Sequence, residues 1–168
     1  MARIRLRFVR NTGWKYNVVA WREGVCMPFA PTHAEYLTEQ NTCIGQHGHI
    51  GGIREMPFGY DRDEIYVLPN GRRCELVVEL PATEAQVELF DDFLRDALTK
   101  REPYDWSAPW GFLLGGRHHQ KFHSTCSAKM FLALRHCGWF PWPTTIPAHE
   151  IDPAMLLWVL STHVEVPH

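Results

Sequence analysis

The sequence Thr32-His33-Ala34-Glu35-Tyr36-Leu37-Thr38 decides the fold, because residue types alternate along it as they do along a β-strand. The next three residues, Glu39-Gln40-Asn41, are typical of a tight turn. Residues Cys43 to Ile53 then combine β-forming side chains with four glycines, which indicates one or two further strands. The sequence therefore predicts a small antiparallel meander in this part of the chain.

Two flanking segments extend the predicted sheet. Between Arg3 and Phe8, arginine alternates with apolar residues, which predicts a strand with one apolar and one basic face. We expect the basic face, which carries Arg3, Arg5 and Arg7, to be solvated on an edge strand. Further along the chain, Pro69-Asn70-Gly71 separates two β-rich runs and predicts a hairpin. The two runs are Tyr66 to Leu68 and Cys74 to Leu80.

A long helix is predicted after the last of these strands. Thr83-x-x-Gln86 has the form of a capping box, in which the first side chain and the fourth satisfy backbone N–H groups at the helix start. The apolar residues that follow are spaced to form one helical face. They are Val87, Phe90, Leu94, Ala97 and Leu98.

Further helices are predicted from their caps. Ser124 or Thr125 can cap a helix that ends at Gly138. Asp152-Pro153 opens a final helix that ends near Ser161. Shorter helices are expected near Val18 to Gly24 and from Ser107 to Leu114.

Composition limits the class of protein. The chain has 168 residues, of which 45% are hydrophobic, and we expect a single α+β domain over residues 1–168. A net charge of −2 argues against a nucleic-acid partner. The sequence has no recognisable membrane span or signal peptide, so we expect a cytoplasmic protein, and it leaves the oligomeric state open. Five scattered cysteines indicate free thiols rather than a disulfide framework.

Three residues have the properties of a thiol catalytic site. Cys126 falls in the first turn of a predicted helix, where unsatisfied N–H groups and the helix dipole favour a thiolate. His33 and Glu35 are two residues apart on a predicted strand and therefore share a face, so the carboxylate can orient the imidazole. The third member is open, because Gln46 or His47 can also face His33 across the turn, depending on the strand register.

Histidine clusters offer an alternative chemistry. His47-x-His49 and His118-His119-x-x-x-His123-x-x-Cys126 place imidazoles and a thiol at short spacing. Neither cluster has a standard zinc spacing. We therefore expect no bound metal and no cofactor.

The order of these features resembles the circularly permuted papain-like cysteine hydrolases. This is the permuted branch of the NlpC-type cell-wall amidohydrolase superfamily, related to the YiiX-type proteins and including phage and prophage members. The resemblance spans about residues 15 to 160. Its motifs are Thr32-His33-Ala34-Glu35, Ile44-Gly45, Gly51-Gly52-Ile53, Pro103-Tyr104-Asp105-Trp106, Gly111-Phe112 and Cys126-Ser127.

The resemblance implies a papain-like fold and a cysteine-dependent amidase or endopeptidase. Cys126 would be the nucleophile, His33 the base and Glu35 the orienting group. The implied substrate is a peptide or an acyl-bearing molecule, with cell-wall peptide (peptidoglycan) as one class, and the protein would be associated with a phage. Relatives carry Cys-Ser-Glu where this chain has Cys126-Ser127-Ala128. A catalytically silent structural or binding module with the same fold is therefore the alternative.

Overall fold

The computed structural model describes residues 2–12, 31–47, 51–104, 125–140 and 146–162. These residues form an α+β structure, as the sequence predicts, with a five-stranded antiparallel sheet and three α-helices. The strands are β1 (Ala2–Val9), β2 (His33–Leu37), β3 (Thr42–His47), β4 (Gly52–Pro57) and β5 (Glu75–Ala82). The helices are α1 (Glu84–Lys100), α2 (Cys126–His136) and α3 (Pro153–Ser161), with a 3-10 turn at Ala148–Glu150. The two predicted short helices lie outside the described residues.

The order of strands in the sheet is β4-β3-β2-β1-β5. The predicted meander is confirmed, because β2, β3 and β4 are successive antiparallel neighbours. The prediction that the first strand lies at an edge is wrong. Strand β1 pairs with β2 on one side and along its whole length with β5 on the other. Both edges of β1 are therefore paired, and its basic face is covered only where other segments pack on it: Arg7 is buried, whereas Arg3 is exposed.

The hairpin predicted around Asn70-Gly71 is present but short. The N–H of Leu68 donates to the carbonyl of Arg72 at 2.8 Å, and Val67 is bridged to Arg73. Gly71 has a φ of 80°, a left-handed conformation that glycine adopts without strain. Beyond this turn the chain enters β5, which pairs with β1 instead of continuing the hairpin.

The two faces of the sheet differ in chemistry. On the face toward the helices, the apolar side chains of β1 pack with their neighbours into one core. The core includes Ile4, Leu6, Phe8, Tyr36, Ile44, Leu80, Phe90, Leu94, Met130 and Leu134. The alternate residues Arg7, His33 and Glu35 are also buried, but they point to the opposite face. The sheet thus separates an apolar core from a buried polar cluster.

The helix starts follow the predicted caps. Thr83 and Gln86 form the capping box of α1. The Thr125 side chain accepts from the N–H of Ala128 at 3.3 Å at the start of α2, and Asp152 accepts from the N–H of Met155 at 2.6 Å at the start of α3. Because Thr125 caps α2, Cys126 is the first helical residue.

Candidate active site

The structure brings Cys126, His33 and Glu35 together. His33 and Glu35 lie on β2, and Cys126 lies at the N-terminus of α2, which packs against β2 and β3. The thiol of Cys126 and the imidazole of His33 are within hydrogen-bonding reach of each other. Two residues that are far apart in the chain are thus neighbours because the start of one helix meets the start of one strand.

The contact favours a thiolate and an imidazolium. Burial opposes the charged form of Cys126, but His33 and the N–H groups of Ala34 and Ser127, which donate to the sulfur, lower the pKa of the thiol below its usual value. Burial also opposes the charged form of His33, but the Cys126 sulfur and the Glu35 carboxylate raise the pKa of the imidazole to about 10. The two shifts are opposite in direction, as they are in an ion pair.

Glu35 also contacts the imidazole of His33. Its Oε2 lies 3.4 Å from Nε2 of His33. Burial alone raises the pKa of a carboxyl, but His33 and then Arg7 lower the pKa of Glu35 to about 2. Glu35 is therefore ionised and positioned to fix the His33 ring.

Arg7 is the centre of a charge cluster that the sequence does not predict. Its side chain is fully buried and donates to the carboxylates of Glu35, Asp61 and Glu75. The distance from Nη2 to Asp61 Oδ1 is 2.7 Å, and the distance from Nε to Glu75 Oε1 is 2.6 Å. The prediction that this arginine is solvated is wrong, because three carboxylates compensate its charge inside the protein.

The register of β2 and β3 decides which residue of β3 faces His33. Tyr36 pairs with Ile44 and Leu37 with Cys43, so the same register places Gly45 beside Glu35. A Cβ at Gly45 would lie 2.9 Å from the Cβ of Glu35, so only glycine fits there without a shift of the backbone. The next residue on this face is His47.

His47 lies beside His33, and Gln46 does not. The ring centroids of His33 and His47 are 5.0 Å apart. Because side chains alternate along a strand, Gln46 lies on the opposite face of β3 from Gly45 and His47. Of the three alternatives for the third member, Glu35 and His47 are at the site. Tyr60, which the sequence does not single out, joins them: its hydroxyl is 3.2 Å from Oε2 of Glu35 and 3.3 Å from Nδ1 of His47.

Within the described residues, one group has the donor set and spacing of a metal site. The ligand atoms of His33, Glu35 and His47 all lie within 4.8 Å of one another, and all three side chains are buried. This group differs from the histidine clusters that the sequence suggested. Those clusters fall mostly outside the described residues, at His49, His118, His119 and His123.

Comparison with models of protein families, with curated proteins and with solved structures finds no match. The four described cysteines, Cys43, Cys74, Cys126 and Cys137, are free thiols. None of the helices in the described ranges is long and apolar enough to cross a membrane.

Proposed function

We propose that this protein is a cysteine hydrolase that cleaves an amide or related acyl bond through a thiolate–imidazolium pair. One observation carries the proposal: Cys126 at a helix N-terminus contacts His33, and Glu35 lies 3.4 Å from Nε2 of that imidazole. Nucleophile, base and orienting carboxylate in this order are the parts of a triad, which is defined by geometry and role and not by sequence order.

The fold that we propose is the circularly permuted papain-like fold. It is supported by a nucleophile at the start of a helix that packs on an antiparallel sheet carrying the histidine. His33 precedes Cys126 in the chain, which is the order that the permuted arrangement requires. The close approach of Gly45 to Glu35 also gives a structural reason for one glycine of the motif.

In the acylation step, the Cys126 thiolate attacks the carbonyl carbon of the substrate. The carbon–sulfur bond forms as the carbonyl π electrons move onto oxygen. The backbone N–H of Cys126 at the start of α2 is the donor that would stabilise that oxyanion, because the first N–H groups of a helix lack intrahelical acceptors. His33 then gives its proton to the leaving amine as the carbon–nitrogen bond breaks.

In the deacylation step, His33 reverses its role. The neutral imidazole takes a proton from water, whose oxygen attacks the thioester carbon. The carbon–sulfur bond breaks, the acid is released, and the thiolate–imidazolium pair is restored. Glu35 holds the ring in place during both transfers, and Arg7 in turn holds Glu35.

The resemblance supplies the substrate class. We propose a peptide amide, with cell-wall peptide as the first class to test and other acyl substrates after it. A cytoplasmic protein acting on the cell wall would need delivery, for which a phage particle is the proposed route. A catalytically silent phage module with the same fold is the second candidate, and the apolar Ala128 next to Cys126-Ser127 favours it.

Thiol reactivity separates these two candidates. We expect iodoacetamide at about pH 6 to label Cys126 before the other cysteines, because only a thiolate reacts. Replacement His33→Gln should slow labelling about tenfold or more, since the imidazolium that stabilises the thiolate is lost. Mass spectrometry of peptides gives the rate at each cysteine. Equal, slow labelling of all thiols in the folded protein would contradict the proposal.

Turnover is tested with 4-nitrophenyl acetate, an activated ester. The wild type should release a burst of nitrophenol and gain one acetyl group on Cys126, and Cys126→Ala should show neither. Cys137→Ala is the matched control, because Cys137 is a buried thiol at the other end of the same helix. Loss of the burst in Cys137→Ala with a retained burst in Cys126→Ala would reverse the assignment.

A further inference from the structure

We propose that Nε2 of His33, Nε2 of His47 and Oε2 of Glu35 form a binding site for a zinc ion. This departs from our expectation of a metal-free protein. The binding itself does not depend on the proposed function. Its consequence for catalysis does, because the proposed mechanism uses two of the three ligands.

The spacing of the donor atoms fits a transition metal. Zinc lies about 2.0–2.2 Å from nitrogen and oxygen ligands, so two tetrahedral ligands are about 3.3–3.5 Å apart. Oε2 of Glu35 is 3.4 Å from Nε2 of His33 and 3.9 Å from Nε2 of His47. All three donor atoms lie within 4.8 Å of one another, so an ion can bind between them when the side chains move closer to these ligand spacings.

Hydrogen bonding prepares His47 for a metal. A carboxylate only accepts, so the hydroxyl of Tyr60 donates its one proton to Oε2 of Glu35. The contact between that hydroxyl and Nδ1 of His47 then requires the nitrogen to be the donor. In the neutral ring this leaves the lone pair on Nε2, the nitrogen that faces the Glu35 carboxylate. Two electron-rich atoms that face each other attract a cation between them.

His33 and Glu35 are also arranged for ligation. The His33 side chain is more than nine-tenths buried, and its Nε2 makes no hydrogen bond of good geometry although Oε2 of Glu35 is nearby. Arg7 donates to the other oxygen of Glu35, Oε1, which fixes the carboxylate and leaves Oε2 directed at the two imidazoles. A hydrogen-bonded outer partner of this kind is typical of metal ligands.

Charge and donor type select the ion. Three carboxylates, those of Glu35, Asp61 and Glu75, surround the single guanidinium of Arg7, so the cluster can offset the charge of a divalent cation. Two imidazoles and one carboxylate suit zinc, whereas magnesium and calcium prefer oxygen ligands throughout. The set matches the three-ligand form of zinc sites in which a fourth position stays open to water or substrate.

Zinc at this site separates His33 from Glu35. The metal would displace the proton on Nε2 of His33 into solvent and occupy the space between Nε2 and Oε2, so the carboxylate would no longer orient the imidazole through a hydrogen bond. On the proposed function, zinc therefore inhibits turnover. Removal of the ion by a chelator restores it.

The binding test uses zinc alone and three forms of the full chain. After dialysis against zinc and then against zinc-free buffer, the wild type should retain one equivalent, measured by elemental analysis. We expect His47→Gln to weaken the affinity at least about a hundredfold in a competition with a chromophoric chelator. His149→Gln, which changes a histidine of the 3-10 turn that is not one of the three proposed ligands, should bind as the wild type does.

Thermal unfolding shows whether a variant that does not bind zinc is still folded. Zinc should raise the Tm of the wild type and of His149→Gln, and leave the Tm of folded His47→Gln unchanged, because a ligand stabilises only the state that binds it. If His47→Gln is unfolded, Tyr60→Phe replaces it, since that change removes only the hydroxyl that sets the His47 tautomer, and we expect about tenfold weaker binding.

The outcomes distinguish this inference from the proposed function. Absence of retained zinc in the wild type, or equal affinity in His47→Gln, overturns the site. Zinc that binds as expected but leaves the turnover of 4-nitrophenyl acetate unchanged overturns the inhibition. Failure of the proposed function appears instead in the zinc-free protein, as the absence of a burst on Cys126, whatever the metal content.

Discussion

Helix α2 has a cysteine at each end, and the two thiols show opposite behaviour. Cys126 at the N-terminus and Cys137 at the C-terminus are equally buried, each with 4% of its surface exposed. Burial raises the pKa of the Cys137 thiol, which donates a hydrogen bond to the carbonyl of Leu134 at 3.3 Å. The pKa of Cys126 is lowered instead. Burial alone therefore does not decide the reactivity of either thiol.

The difference lies in what each end of the helix meets. The N-terminal end offers N–H donors and meets the imidazole of His33, both of which stabilise a negative sulfur. The C-terminal end offers carbonyl acceptors and lies in the apolar core, which includes Cys137. A buried cysteine becomes a candidate nucleophile when a neighbouring positive charge stabilises its thiolate. In this protein that charge is on His33, which depends on Glu35, and Glu35 is held by Arg7.

The largest expected effect comes from removing this charge cluster. Arg7→Met leaves the carboxylates of Glu35 and Asp61 buried without their cation, and should lower the free energy of unfolding by about 3–5 kcal/mol. Urea denaturation measures the loss. Arg3→Met is the matched control on the same strand and the same face, because the Arg3–Glu79 pair is exposed and its loss should cost at most about 1 kcal/mol.

Equal stability losses in the two arginine variants would contradict this interpretation. They would mean that the buried charges of Arg7, Glu35 and Asp61 contribute no more to stability than an exposed ion pair does. In that case the contrast between the two cysteines would rest on the helix terminus and His33 alone.

The parts of the site that could be predicted are those fixed by local chain geometry. Thr125 caps a helix whatever the rest of the protein does, so Cys126 could be placed in a first turn from sequence. The alternation of a strand likewise places His33 and Glu35 on one face. Local rules therefore identified three residues of the site, although not that they would meet.

The parts that could not be predicted depend on pairing between distant segments. Arg7 is buried because the segment after β4, which carries Phe58, Tyr60 and Asp61, lies against its side chain. Arg3 on the same face of β1 is exposed. The choice between Gln46 and His47 depends on the register of β2 and β3, which a shift of one residue would reverse. Tyr60 and Asp61 follow β4 in a segment of turns without a periodic pattern.

A smaller effect is expected when Glu35 is titrated. Its folded-state pKa of about 2 is below its usual value of 4.5, so its contribution to stability is present above pH 4.5 and is lost as the pH falls toward 2. The stability advantage of the wild type over Glu35→Gln should therefore shrink across that interval in urea denaturation. Glu88→Gln, which changes an exposed residue of α1, controls for the removal of one acidic group. An advantage that stays constant down to pH 2 would show that the charge of Glu35 is not what stabilises the cluster.

The smallest expected effect tests the helix terminus itself. Thr125→Ala and Thr83→Ala each remove a cap hydrogen bond, at the starts of α2 and α1, and each should cost about 1 kcal/mol in unfolding free energy. Only Thr125→Ala should also slow the labelling of Cys126 by iodoacetamide, because fraying of the first turn of α2 moves the sulfur away from His33. If both variants lose the same stability and label at the wild-type rate, the capped helix start contributes nothing to the reactive state. The contrast between Cys126 and Cys137 would then come from His33 and not from the ends of the helix.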